Sequence, residues 1–425
     1  MNQTQRTGSI AAIALVLAAA TAFGLRTSQA QSPAPKVDAS SAWPMYQRYA
    51  THNAVFDAPK LHAGWQSQLG DRINAGFALD GDTLYAASFD HKLYALEAAT
   101  GKILWSAEAD GVLMSTPVFA QGLIVVGSGE NGFLKPLDGS SQVWGRPQGN
   151  GVFAFSLDGK LVWTFHTTGE DMPSPAIAGD TVIFGNGDAH AYALDLATGK
   201  LKWQKPLAGA VTMASTAIDG GAAFISSCHN APYYCETRAL DLRDGHTLWV
   251  NPNGGSDCAP TVADGLVFVN TNRNDETRFH TGGVDVVAAV DETTGQTRWT
   301  YAGEPGPYTF PVTNERQIAA TFADGVLYQP IGNASNVIAF EARTGKVLWN
   351  LRTWANVKMS PLITGGRVYF GDTGGILYNV DQQTGRVVHT SSFLQPFSAA
   401  PPLILGDTIV FAVGPVIIAM PLADV

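Results

Sequence analysis

The chain has 425 residues, among them 45 Gly, 23 Pro and 10 Trp but only 15% charged side chains, and its formal net charge is −10. Gly and Pro are spread along its length, which excludes a long disordered chain and points to a turn-rich β protein. The acidic balance excludes nucleic acid and anionic membrane as partners.

Residues 1–30 read as a secretory signal peptide. Arg6 precedes an apolar, small-residue stretch from Ile10 to Leu25, which ends in Thr27-Ser28-Gln29-Ala30. That stretch is shorter than the roughly 20 residues needed to span a bilayer. Ser28 and Ala30 supply the small residues that cleavage after Ala30 requires; a retained anchor is the alternative. Gln31 stands where a lipoprotein would carry Cys, and no Arg pair marks a twin-arginine signal. Cleavage removes Arg6 and Arg26 and no acid, leaving 24 basic against 36 acidic side chains, a charge of −12. The expected product is a periplasmic or secreted monomer without a stable membrane anchor. Residues 31–59 form a linker and lead-in segment, rich in Ser, Pro and Ala up to residue 42.

From residue 60 onward one pattern recurs: two apolar residues, an acid, Thr-Gly, then Trp. Its clearest copies run from Leu96-Glu97 through Thr100-Gly101 to Trp105, from Leu194-Asp195 to Trp203, and from Phe340-Glu341 to Trp349. Others end at Trp249, where Asp244 replaces Thr, at Trp299, and at His389, where His replaces Trp; a shorter one runs through Asp158-Gly159 to Trp163. Each reads as a β-hairpin whose Gly takes the positive φ that other residues resist, and whose acid and Thr bond nearby amides. The Trp is expected to wedge against the neighbouring blade.

A second turn precedes each hairpin, at Gly81, Gly122, Gly179 and Gly220, then at Gly265, Gly325, Gly365 and Gly406. Eight inner turns therefore face seven outer ones. Gly64-Trp65-Gln66 supplies the missing outer strand, and Val416–Ala419 is a third strand with no fourth after it. Pairing the chain ends closes a ring and protects its edges. The fold class expected is all-β: an eight-bladed β-propeller of four-stranded antiparallel blades over residues 60–425.

This repeat resembles that of the pyrroloquinoline-quinone (PQQ) type propellers, a family that includes quinoprotein dehydrogenases and BamB-like non-catalytic proteins; Trp43-Pro44-Met45-Tyr46 also resembles the lead-in of several members. The resemblance implies a binding or scaffold protein of the cell envelope or, alternatively, a PQQ-dependent dehydrogenase oxidising an alcohol or aldehyde. In quinoprotein dehydrogenases PQQ is stacked between a Trp and, in many members, a disulfide of adjacent cysteines, with Ca²⁺ held by carboxylate and amide oxygens. This chain has no adjacent Cys pair. Asp257 and Lys358 are the weak candidates for base and quinone-oxygen contact.

Departures from the repeat orient the ring. Inner-turn Gly to outer-turn Gly is 20 residues in four blades but 37 in blade 2, 25 in blade 4 and 30 in blade 5, and the connection into blade 6 is also extended. All four insertions are expected on one face, where a protein, peptide or small polar ligand would bind; neutral loop drift is the alternative. Candidate loop residues are Trp144, Arg146 and His229, then Tyr233, Tyr234, Arg273, Arg278 and Tyr308. Counting back from each inner turn places Asn74, Met114, Met172 and Met213 around the axis on that face, followed by Asp257, Gln317, Lys358 and Ala399. Such a rim either holds a small polar ligand beside a soft Met arc or is simply plugged by Met. No metal site is expected. A Cys228–Cys235 bridge across the blade 4 loop is the expected pairing, with Cys258 within reach and one thiol left over.

Overall fold

In a computed structural model the described residues are 64–129, 149–230, 233–255, 258–273, 284–303, 318–331 and 335–425. They form eight four-stranded antiparallel sheets. Blade 1 comprises Phe77–Asp80, Thr83–Ala87, Lys92–Glu97 and Ile103–Glu108, running outward from the axis. Blade 8 combines Leu403–Leu405, Thr408–Val413 and Val416–Pro421 with the N-terminal strand Trp65–Gln68, in the register Trp65 to Ala419 and Gln68 to Val416. Chain-end pairing thus closes the ring. Ser398 Oγ reinforces the seam by donating to Ile73 O at 2.9 Å.

The outer hairpins behave as local chemistry dictates. At Asp195–Gly199 the carboxylate accepts from the Thr198 N–H at 2.9 Å and the Thr198 hydroxyl at 2.6 Å, while Gly199 sits at φ +68° and donates to Asp195 O. The strands then slip register by one residue: Ala193 faces Trp203, but Leu194 faces Leu201. The same bulge recurs between Ala95 and Leu96 and between Ala339 and Phe340, and bulges of this kind re-aim side chains.

What the bulge aims is the Trp. The Trp of one blade lies on the turn glycine of the next, Trp163 on Gly199 and Trp299 on Gly345, where an added Cβ would fall 2.6 Å from the indole. Each indole N–H donates to a backbone carbonyl of that neighbour, Trp163 to Leu196 O and Trp299 to Ala342 O, both at 2.8 Å. An alanine opposite the Trp leaves room for it, as at Ala154, Ala193 and Ala339. This explains His389. Its next blade is the closing one, whose outer strand comes from the other chain end, so there is no hairpin turn for an indole to cover. Asn379 replaces the opposing alanine and donates to Val425 O at 2.7 Å, tying down the C-terminus.

The core is divided among the blade interfaces, and the largest cluster surrounds the seam, with Phe77, Phe397 and Phe411 at its centre. The second and third strands of blades 4 and 5 exceed the five or six residues usual elsewhere: Ala222–Asn230 pairs with Tyr233–Asp241, and Leu266–Arg273 with Val284–Asp291. The blade 4 insertion, expected as a loop, is therefore mostly a lengthened ladder. Backbone pairing continues through the added residues, from Ser226 opposite Thr237 to Asn230 opposite Tyr233.

Candidate functional site

The first strand of each blade begins at the end where its second strand finishes, as Phe77 opposite Ala86 shows for blade 1. Residues just before the first strands therefore converge on the axis at the face carrying the strand 2 to 3 connections. There they line a cavity of about 640 Å³. Asn74, Met114, Met172, Met213, Lys358 and Ala399 all border it. Asp257 and Gln317 lie outside the described residues, as do Trp144, Arg146, Arg278 and Tyr308. Tyr233, Tyr234 and Arg273 sit at strand ends whose side chains are likewise outside the description, and His229 is exposed on the blade 4 ladder.

The methionines come from three consecutive blades. Met114 and Met172 are buried against Phe89, with Met213 packed beside them. The Arg72 guanidinium lies 4.2 Å from the centre of the Phe89 ring, and so reaches the cavity rim over the same apolar arc. Met172 is held by its neighbour: the Asp171 N–H donates to Ser128 O, and its buried carboxyl accepts from Thr167 Oγ1 and from Asn186 Nδ2, the latter at 2.5 Å. Burial pushes that carboxyl well above its ordinary pKa, against the lowering effect of those two donors. Across the ring, Asp372 accepts from Tyr378 Oη at 2.8 Å and positions Thr373, another lining residue; burial first, and then this bond, push the Tyr378 hydroxyl up to about 12.

Beneath the methionines lies a second layer. Thr116, Ser174 and Ser215 stand two residues after Met114, Met172 and Met213. All three line the cavity. They link blade to blade: Gly76 N donates to Thr116 Oγ1 at 2.8 Å, Thr116 N to Ser174 Oγ at 2.8 Å, and Ser174 N to Ser215 Oγ at 3.1 Å. Sequence counting stopped one layer too early to include them, although the same register reaches them. Arg72, two residues before Asn74, was missed for the same reason.

The disulfide joins Cys228 and Cys235, which face each other directly in the ladder. Cys258 stays outside it, buried, with its thiol donating to Ile318 O at 3.4 Å.

Fold and site together define an eight-bladed β-propeller with an axial cavity on its insertion-bearing face. The chain belongs to the PQQ-repeat, BamB-type propeller family: the profile described as outer membrane protein assembly factor BamB matches residues 54–281 and 283–420. Among curated relatives, a tetrathionate hydrolase from Acidithiobacillus ferrooxidans is 27% identical over 349 residues, covering 77% of this chain and 68% of the relative. The assembly factor BamB from Moranella endobia is 23% identical over 320 residues, covering 73% and 72%. Among solved structures, BamB from Moraxella catarrhalis aligns with a TM-score of 0.61 and 18% identity over 84% of this chain and 99% of its own. A europium-containing methanol dehydrogenase aligns with a TM-score of 0.63 and 14% identity over 88% and 90%. At these identities the structural likeness is one of fold.

The family raises the question of a quinone and its metal. Among the described residues lining the cavity there is no Trp and no carboxylate, and the disulfide joins cysteines seven residues apart rather than adjacent ones. These residues do not fit PQQ with Ca²⁺. Their charged members are the cations Arg72 and Lys358.

Proposed function

We propose that this chain is an exported envelope propeller acting as a binding protein, with the axial cavity as its small-ligand site and the surrounding insertion-bearing face as its contact surface. The observation that carries this reading is the cavity itself. At about 640 Å³ it falls in the usual range for small-molecule sites, roughly 300–1,000 Å³, with an apolar wall and a few convergent polar groups. The disulfide and the envelope roles named for BamB relatives support an exported location. Its size favours a small polar ligand over a polymer inside the cavity, leaving proteins or peptides to the outer face. The test is native mass spectrometry of residues 31–425 purified from the envelope. A bound small molecule that is lost on filling the cavity with Ser215→Trp is expected; an empty chain that retains no metabolite from envelope extract would overturn the small-ligand reading.

A second reading makes the cavity catalytic, and one observation favours it: of the two curated relatives above, the tetrathionate hydrolase has the higher identity and covers more of this chain. A soft methionine arc suits a sulfur-rich substrate. Incubating the purified chain with tetrathionate and following its loss by ion chromatography tests this; no loss above the protein-free rate would reject it. Dye-coupled alcohol oxidation after adding PQQ and Ca²⁺ tests the dehydrogenase alternative, for which no turnover is expected.

A further inference from the structure

We infer that the exposed indole of Trp354 is a stacking platform for a chain of pyranose rings, a saccharide site on the insertion-bearing face where blades 6 and 7 meet. Trp354 does not border the axial cavity, so this site stands or falls independently of the ligand read into that cavity. The starting point is a Trp that the fold does not use. The repeat Trp of blade 6 is Trp349, only 8% exposed; it lies on Gly385, and its indole N–H donates to Gln382 O at 3.0 Å. Trp354 follows five residues later, just beyond the outer strand Val347–Arg352, and is 83% exposed. Five residues after their own repeat Trp, blades 1 to 4 carry Asp110, Thr168, Ala208 and Gly254. The propeller therefore needs no aromatic side chain at this place.

Although exposed, Trp354 is firmly held. Its backbone N–H donates to Tyr378 Oη at 2.9 Å, the Ala355 N–H donates to Asp372 Oδ2 at 3.2 Å, and the buried Thr353 hydroxyl donates to Ala355 O at 2.7 Å. A platform fixed before binding spares the ligand the cost of ordering it. The indole edge rests on the strand 2 to 3 turn of blade 7, where a Cβ on Gly374 would fall 3.1 Å from Trp354 Cδ1. Gly374 is not in the left-handed region that would by itself call for glycine, so what its missing side chain provides is room. On the other side of this Gly374-Gly375 turn the Phe393 N–H donates to Gly375 O at 2.7 Å, and the next residue, Leu394, is 70% exposed. Large apolar side chains scattered singly over a surface need no explanation. These two are not scattered, since they flank one turn whose floor carries no side chains.

The polar groups around the indole decide what lies on it. The backbone donors are spent: besides those of Trp354 and Ala355, the N–H groups of Thr373, Gly374 and Gly375 donate to Asn356 O, Asp372 Oδ1 and Asp372 O. A peptide recognised through its main chain would find none of them free. Side-chain amides are what remain. Asn356 is exposed and its Oδ1 accepts from Ser335 Oγ at 2.6 Å, which leaves its NH₂ group without a partner among the described residues. Asn350 Oδ1 accepts from Asn336 Nδ2 at 2.8 Å, leaving the exposed Asn350 NH₂ and the buried Asn336 Oδ1 unpaired among the same residues. Ser335 and Asn336 are brought beside the Trp354 segment by the Thr353 N–H, which donates to Ser335 O at 2.8 Å. Amides that donate and accept, next to an open aromatic face, complement a sugar. The C–H bonds on one face of a pyranose lie against the negative face of the indole, and its hydroxyls both give and take hydrogen bonds. Two apolar supports with glycines between them suit a chain of rings rather than a single one.

The test is fluorine NMR of residues 31–425 labelled with 5-fluorotryptophan, in which Trp354→Phe identifies one signal among ten. The probes are cellopentaose, maltopentaose and N-acetylchitopentaose, with sorbitol as an open-chain polyol and a casein digest standing for the peptide alternative. At least one pentasaccharide is expected to shift the Trp354 signal saturably at millimolar concentration or below, and the one bound best tells which linkage the site prefers. In calorimetric titration with that sugar, Trp354→Ala should weaken binding about tenfold, and Asn350→Ala and Asn356→Ala about threefold each. All three side chains are exposed, so these variants report binding rather than folding. A Trp354 signal unmoved by every pentasaccharide, or moved as far by sorbitol or the digest, would overturn the site. So would unchanged affinity when Asn350 and Asn356 are both replaced, because an indole alone would then be all that the sugar meets.

Discussion

Substituting Gly199 by alanine isolates the contact that joins each blade to the next. The new methyl would meet Trp163 Cδ2 and Cε3 at 2.6 Å, at a backbone φ of +68°. Gly179 is the matched control: its φ is +60°, but an added Cβ would have nothing within 4 Å. A left-handed conformation costs a non-glycine residue roughly 1–2 kcal/mol, and that is the whole effect expected for Gly179→Ala. At Gly199 overpacking against the indole adds about 1–3 kcal/mol, and displacing the indole threatens its hydrogen bond to Leu196, worth about 0.5–1.5 kcal/mol. Gly199→Ala should therefore cost about 3–4 kcal/mol. Trp163→Ala alone should cost about 3–5 kcal/mol, but in that background the clash is gone and Gly199→Ala should add only about 1–2 kcal/mol. The cycle thus predicts a coupling of about 2 kcal/mol. Urea unfolding followed by far-ultraviolet circular dichroism measures all five proteins. Equal costs at Gly179 and Gly199, or the same cost for Gly199→Ala with and without Trp163, would refute the inter-blade contact as the reason for the glycine.

Further outcomes follow from the same geometry. Burial keeps Asp171 protonated to higher pH in the folded chain than in the unfolded one. The native state therefore holds the extra proton between the two pKa values, and stability falls as pH rises from the unfolded value through the folded one. Asp171→Asn should flatten that part of a melting-temperature profile, and an unchanged slope would locate the dependence elsewhere. Replacing Cys228 and Cys235 together by Ser releases a cross-link spanning seven residues, and by the loop-entropy argument should lower stability by about 2.5 kcal/mol at most. Non-reducing peptide mapping should find those two cysteines linked, with Cys258 alkylated only after denaturation. Removing the chain through Gln68 strips the partner from Val416–Pro421. An unpaired edge of this kind should associate, seen as concentration-dependent light scattering and loss of a single cooperative melt; a stable monomer would contradict closure through the N-terminal strand.

Blade number, hairpin positions and ring closure were legible in the amino-acid sequence because they depend on short-range chemistry repeated at intervals. A glycine with positive φ, an acid and Thr that cap the turn, and alternating apolar residues act within a dozen residues of one another, so eight inner turns and seven outer ones could simply be counted. The exception at His389 was visible too. Its cause was not, since it lies in the absence of a turn on a blade completed from the opposite end of the chain. The axial ring was half legible: periodic counting reached Met114, Met172 and Met213 but passed over Thr116, Ser174 and Ser215.

What the sequence by itself determined about this protein is therefore whatever a local periodic pattern encodes: strands, turns, blade count and closure. Tertiary structure alone decided which members of that pattern meet. Arg72 and Ser215 are separated by three blades of chain, yet border one cavity. Cys228 takes Cys235 rather than Cys258 because antiparallel register sets the first pair face to face. And the hydroxyl oxygens of Thr116, Ser174 and Ser215 meet the backbone N–H groups of Gly76, Thr116 and Ser174 only across neighbouring blades. Register within and between blades is a property of the closed ring, which no single repeat contains.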